Sequence, residues 1–183
     1  FVGMTMKWAI PKVWYNTYLN LPMSKKVYFA ADHAGFALKN ALLEHVRILG
    51  YEVEDMGTLE HHADDDYPDF ITPLAKKVAE GNSFGIIVGG SGQGEAMCAN
   101  RVAGVRAAVF YSEMNVTESL DIEGGHSEDG FDVVRLARRH NDANILSLGA
   151  RFVSGKKADE AVRIFLETEF SGAERHTRRL SKF

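Results

Sequence analysis

Residues 85–95 read Gly-Ile-Ile-Val-Gly-Gly-Ser-Gly-Gln-Gly-Glu, and few folds accommodate such a stretch. Ile86 to Val88 are β-branched and free of charge, as a strand covered on both faces requires. Four glycines in residues 89–94 permit positive φ and let the backbone approach a ligand closely. A helix from about Gly94 to Arg101 then points its N-terminus, with free N–H groups, back at the loop. Ser91 places a hydroxyl in the loop and Glu95 a carboxylate in the first helical turn. A dinucleotide fingerprint starting at Gly90 needs glycine where Glu95 stands, and a P-loop needs a lysine that is absent. On its own the loop fits a tight strand-to-helix turn as well as it fits an oxyanion cradle.

The chain has 183 residues, 45% hydrophobic and 25% charged, enough for one α/β domain with a full core and unlike a disordered chain. The net charge of −4 gives no reason to expect nucleic acid. A single cysteine excludes an internal disulfide and fits a reducing, cytoplasmic compartment. No apolar run reaches the roughly 18 residues of a membrane span.

Residues 1–22 carry Trp8, Trp14, Tyr15 and Tyr18 without helical or alternating pattern, and without the apolar core of a secretory signal. They are read as an extension upstream of a start at Met23, the alternative being an arm that packs its aromatics on a partner subunit. Residues 23–183 read as a single domain. Val27–Ala31 is a short apolar strand ending in Asp32-His33, where open parallel sheets bind ligands. The plainer roles are a helix N-cap for Asp32 and a solvated loop for His33. Phe36–Leu49 has helical spacing and Gly50 ends it; Tyr51–Asp55 is a second strand. His61, His62, Asp64, Asp65 and Asp66 lack the spaced geometry of a metal site and read as a solvated charge run. Pro68 opens a helix to about Glu80, with Tyr67 placed to reach a neighbouring site.

Cys98, three residues past Glu95, reads as a core residue. Arg106–Tyr111 is the fourth strand. Residues 112–130 form a long segment without clear structure, the kind of loop that often serves function. Phe131–Arg139 is helical, Ile145–Leu148 is the fifth strand with Arg151 at its ligand-facing end, and Lys156–Phe170 is another helix. In the basic tail Arg175 and Arg179 stand one turn apart, so a helix there lets both face one anion, although solvated basic tails are common.

Several motifs occur together and in order: Asp32-His33-Ala34-Gly35-Phe36, Asp66-Tyr67-Pro68-Asp69, Gly89 through Glu95, Ala99-Asn100-Arg101, Gly104-Val105-Arg106-Ala107, Arg139-His140-Asn141-Asp142-Ala143-Asn144, and Arg175-His176 with Arg179. Through them residues 25–183 resemble the type B ribose-5-phosphate isomerases, a family that includes the galactose-6-phosphate isomerase subunits. The resemblance implies a Rossmann-like three-layer α/β/α sandwich around a five-stranded parallel sheet. It implies a cytoplasmic homodimer, with a tetramer as the larger alternative, whose two sites are each built from both chains. It implies no metal, no organic cofactor, and aldose–ketose isomerisation of a phosphorylated sugar through an enediolate, as in the pentose phosphate pathway.

One branch of that family takes its base from a cysteine just before the glycine loop. Gly89 stands there, so this chain resembles the branch whose base is a glutamate, Glu95. A carboxylate base has precedent in triose phosphate isomerisation. The resemblance further implies that Ser91 and the amides around Gly90, Gly92 and Gly94 stabilise the enediolate oxygen. His140, from the partner chain, opens the sugar ring. Asp32 and Asn141 hold sugar hydroxyls, His33 and Arg151 bind phosphate with the partner's Arg175 and Arg179, and Tyr67 lines the site. The insertion at about 112–130 is longer than the family pattern leads one to expect. It motivates an alternative substrate: galactose 6-phosphate, allose 6-phosphate or a tetrulose 4-phosphate. A catalytically silent sugar-phosphate-binding protein is the alternative outside enzymology.

Overall fold

Alternation along three strands sets the layers. The computed structural model describes residues 25–120, 125–127 and 129–183; the proposed extension at 1–22 lies outside them. Within β1 (Lys26–Ala31), Val27, Phe29 and Ala31 face one side and Ala30 the other. In β3 (Ser83–Gly89), Phe84, Ile86 and Val88 face the first side and Ile87 the second; in β5 (Ile145–Gly149), Leu146 and Leu148 oppose Ile145. Both faces are apolar and both are covered, so β3 and β5 are buried throughout. The first face packs on α1 (Phe36–Ile48), α4 (Asp132–Asn141) and α5 (Gly155–Glu167). The second packs on α2 (Tyr67–Ala79) and α3 (Gln93–Ala99). With β2 (Val53–Asp55), β4 (Ala107–Phe110) and a short final helix, α6 (Glu174–Leu180), these form the expected α/β/α sandwich.

The sheet is parallel throughout, in the order β2-β1-β3-β5-β4. From β1 the chain winds outward to β2, and from β3 it winds the other way, so the strand order reverses between β1 and β3. Loops leaving the carboxyl ends of two such strands part and leave a crevice. Here those loops begin with Asp32 and Gly90.

Several expected boundaries move inward by one or two residues. The fourth strand begins at Ala107 because Arg106 is engaged elsewhere: its N–H donates to Asn144 Oδ1 at 2.8 Å and its guanidinium to Asp142 Oδ2 at 2.8 Å. The helix after the glycine loop ends at Ala99 because Asn100 turns its amide back to Ala107, donating to the carbonyl at 3.0 Å and accepting from the N–H at 2.8 Å. The described residues of the 112–130 segment contain neither helix nor strand. They are anchored by the Met114 N–H to the Gly130 carbonyl at 2.9 Å and by a Glu113–Lys157 ion pair at 2.5 Å. Among the described residues no helix is long and apolar enough to cross a membrane.

Candidate active site

At the carboxyl end of the sheet the glycine loop is held against β5. Gly92 sits at φ 73° with its Cα facing the Leu148 backbone; a Cβ there would stand 2.9 Å from the Leu148 carbonyl carbon. Only glycine combines that φ with that approach. The Ser147 hydroxyl donates to the Gly92 carbonyl at 2.7 Å and fixes the loop from below. Ser91 is left exposed, its Oγ accepting from the Gln93 N–H at 3.3 Å.

Glu95, by contrast, is buried, with 4% of its surface exposed. Its side chain folds back over the end of β3, into the space above Gly89. Burial pushes its carboxyl above the usual range; a hydrogen bond from its own backbone opposes this, and the negative charge of Asp32 adds to it. A carboxylate held this way is a stronger base than one in water, and it faces the loop.

Asp32 leaves β1 beside it, buried, with Oδ1 accepting from the Gly35 N–H at 3.1 Å. That contact closes the turn ahead of α1, whose N-cap is Gly35 itself, and engages one of the two Asp32 oxygens. Gly35 is pressed so closely on β3 that a Cβ would lie 2.2 Å from the Val88 carbonyl oxygen. The next residue, His33, is held through both its N–H and its Nδ1, at 3.0 and 2.7 Å, by Asp65 Oδ1. That hydrogen bond raises the His33 pKa against the opposing effect of burial; Asp32 helps and the nearby Arg151 opposes. Arg151 lays its guanidinium over Gly90, 3.1 Å from where a Cβ would be, and Tyr67 lays its ring over Gly94, 2.9 Å from the corresponding point. Gln93 donates to the Tyr111 hydroxyl at 2.5 Å along the same rim. Asp32, His33, Tyr67, Ser91, Glu95, Arg151 and the loop glycines are therefore assembled at one edge of the sheet.

The remaining expected site residues are not there. His140 stands near the end of α4, just ahead of β5, so it lies at the amino edge of the sheet. Arg175 and Arg179 do prove to share a helix, α6, and with His140 and His176 they line a cleft of about 490 Å³. Buried His176 packs its ring 4.1 Å from that of His140. Its Nε2 accepts from Arg175 Nε at 3.1 Å, and a guanidinium only donates, so the proton sits on Nδ1 and is given to Ser171 Oγ at 2.9 Å. Asn141 lines a neighbouring groove with Asn100 and Arg106 rather than this cleft. The five residues of β5 separate the two edges by about 17 Å.

Some contributors were not visible in the sequence. Asp65, taken there for part of a solvated charge run, is 8% exposed at its side chain and bound to His33. Glu118, Ser119 and Leu120 of the insertion line the cleft of His140 and Arg179. His176 lay within a quoted motif but carried no role. Donor atoms of Asp32, His33 and Asp65 come within 4.8 Å of one another, the spacing of a metal site. Their hydrogen bonds already commit one Asp32 oxygen to Gly35 and one Asp65 oxygen to His33, which makes them a braced loop first.

The sequence profile of the ribose/galactose isomerases matches residues 27–123 and 128–183. The chain belongs to the ribose/galactose isomerase family. Within that family it is similar to ribose-5-phosphate isomerase B of Mycobacterium tuberculosis, 38% identical over 156 residues that cover 85% of each chain. The same isomerase fold appears in ribose-5-phosphate isomerase B of Mycoplasma genitalium, solved with bound ribulose 5-phosphate, at 36% identity and a TM-score of 0.75 over 88% of this chain and 95% of that one. The type B enzyme of Trypanosoma brucei superposes with a TM-score of 0.74 at 35% identity, over 87% of this chain and 97% of that one. These likenesses span the parallel sheet and both of its edges.

Proposed function

We propose that this isomerase interconverts ribose 5-phosphate and ribulose 5-phosphate by moving one proton between C2 and C1. The observation that carries the reading is the buried carboxylate of Glu95 set over Gly89, at the head of the glycine loop. Glu95 takes the proton from C2 of the open-chain aldose, the electron pair moves onto the carbonyl oxygen, and the resulting enediolate is held by loop amides and Ser91. The same carboxyl returns the proton to C1 while the hydroxyl proton passes from O2 to O1, which leaves the carbonyl at C2. Asp32 holds sugar hydroxyls, as does Asn141, which stands beside His140 at the other edge and so comes from a second copy; Tyr67 walls the site, and His33 and Arg151 meet the phosphate.

Ring opening is assigned to His140 and the rest of the phosphate charge to Arg175 and Arg179. About 17 Å of strand separates these from Glu95 within one chain, so a second copy must supply them. The reading is thus a homodimer with two shared sites. The single cysteine and the phosphorylated metabolite favour the cytoplasm. The test is turnover of ribose 5-phosphate by the purified protein, with allose 6-phosphate, galactose 6-phosphate and a tetrulose 4-phosphate alongside. Preference for a non-pentose overturns the choice of sugar. One observation favours that second reading: Glu118, Ser119 and Leu120 stand in the cleft with the histidine and the arginines, where they can reshape the space for the sugar.

A further inference from the structure

Asp65 has no role in the mechanism above, yet its side chain is more deeply buried than that of the histidine it holds: 8% exposed against 31% for His33. One of its oxygens accepts both the backbone N–H and the ring Nδ1–H of His33, at 3.0 and 2.7 Å. Two bonds from one atom fix the backbone and the ring plane together. With Nδ1 engaged as a donor, the remaining ring nitrogen, Nε2, is the one left to meet a ligand. His61 closes the far side of the ring, edge to face at 6.1 Å between centroids.

We propose that Asp65 is a positioning residue for phosphate binding: its two hydrogen bonds fix the backbone and ring of His33 so that Nε2 is the nitrogen offered to the phosphate beside Arg151. The proposal rests on the reading that His33 and Arg151 take the phosphate group. The charged groups around His33 are Asp32 and Asp65, which favour its proton, and Arg151, which opposes it; the hydrogen bond to Asp65 is the largest influence. Without the carboxylate, His33 would lose its proton at lower pH, and the cationic pair would shrink to one guanidinium. A phosphate monoester is mostly a dianion above about pH 6, which is where the second cation counts.

The substitution Asp65→Asn keeps an oxygen able to accept both bonds and removes the charge, at the cost of placing an amide NH2 where the buried, unpartnered Oδ2 stands. KM for ribose 5-phosphate and the inhibition constant for inorganic phosphate are measured from pH 6 to 9 for wild type, Asp65→Asn and His33→Ala. Comparing proteins at equal pH cancels the ionisation of the substrate. The expected result is a KM near wild type at pH 6 that rises to about tenfold above it at pH 8 for Asp65→Asn, with a smaller change in kcat. His33→Ala should raise KM at every pH. If His33→Ala raises KM and Asp65→Asn keeps the wild-type pH profile, Asp65 has no such role. If His33→Ala leaves KM unchanged, the phosphate reading of His33 falls, and this proposal with it. NMR titration of the unmodified protein is independent of any folding defect. His33 should titrate above the ordinary histidine value of about 6.5, and a midpoint at or below that value overturns the proposal.

Discussion

The carboxylate of Glu95 fills the space into which a side chain at position 89 would project: a Cβ built on Gly89 would lie 1.8 Å from Glu95 Oε1 and 2.0 Å from Cδ. A carboxylate reaching in from position 95 and any side chain at 89 are therefore mutually exclusive. Gly89→Ala should swing the carboxylate aside. The atoms that clash are the far end of a flexible chain, so the cost in stability is about 1 kcal/mol. Misplacing the base by about 1 Å should lower kcat by about a hundredfold. Thermal melts and steady-state turnover of ribose 5-phosphate separate the two effects.

Glu95→Gln should abolish turnover and keep sugar-phosphate binding, measured calorimetrically; surviving activity would point to Cys98 instead. Because the Glu95 carboxyl is raised by burial, the wild-type rate should fall on the acid side at a pH above the ordinary carboxylate range. The same shift has a stability consequence. A carboxyl raised in the folded state contributes stability below its unfolded pKa and loses it as pH rises through the folded one. Above that folded value the protein carries a buried charge, so Glu95→Gln should melt at a higher temperature than wild type there, with the gap closing on acidification.

Mixing Glu95→Gln chains with His140→Ala chains should restore activity that neither has alone. In a twofold dimer each hybrid has one intact and one doubly defective site, and half of a random mixture is hybrid, so about a quarter of wild-type activity is expected. Hybrids that form, as seen by native mass spectrometry, and remain inactive would refute the shared site.

Arg175 and Arg179 line one cleft, but only Arg175 also donates to His176, which packs on His140. Arg179→Ala should act chiefly on KM, by about tenfold or more, as loss of a charge-assisted contact. Arg175→Ala should raise KM and also lower kcat, because the His176 tautomer is no longer held. Steady-state kinetics on both variants tests the difference.

Lys39 is fully buried, and its ammonium donates to both oxygens of Asp55, at 2.6 and 2.5 Å, and to the Thr58 carbonyl at 2.8 Å. Lys39→Met leaves a partly exposed Asp55 without its cation. Such a loss costs about 2 kcal/mol, less than for a wholly buried pair. Chemical denaturation measures it directly.

The sandwich was legible because β3 and β5 are short, mostly apolar runs and glycines punctuate their ends; no charge or proline competes with either pattern. The glycine loop and the carboxylate beside it were legible because Ser91, Glu95 and their glycines are contiguous. Asp65 was not: its partner His33 is 32 residues away, and in a run of acids the one that turns inward has no local mark. Nor does the motif order reveal that His140 and Glu95 end at opposite edges. That follows only once the helices are known to run against the strands.

If one site draws on both edges, as proposed, that separation makes catalytic capacity a property of pairs rather than of chains. Under the shared-site reading an isolated subunit carries two halves of different centres and completes neither. Specific activity should then drop on dilution below the dissociation constant of the assembly and return on concentration, with no change in the fold of either subunit. A subunit defective in both halves would also silence a sound partner in every hybrid, because neither composite site would then be complete.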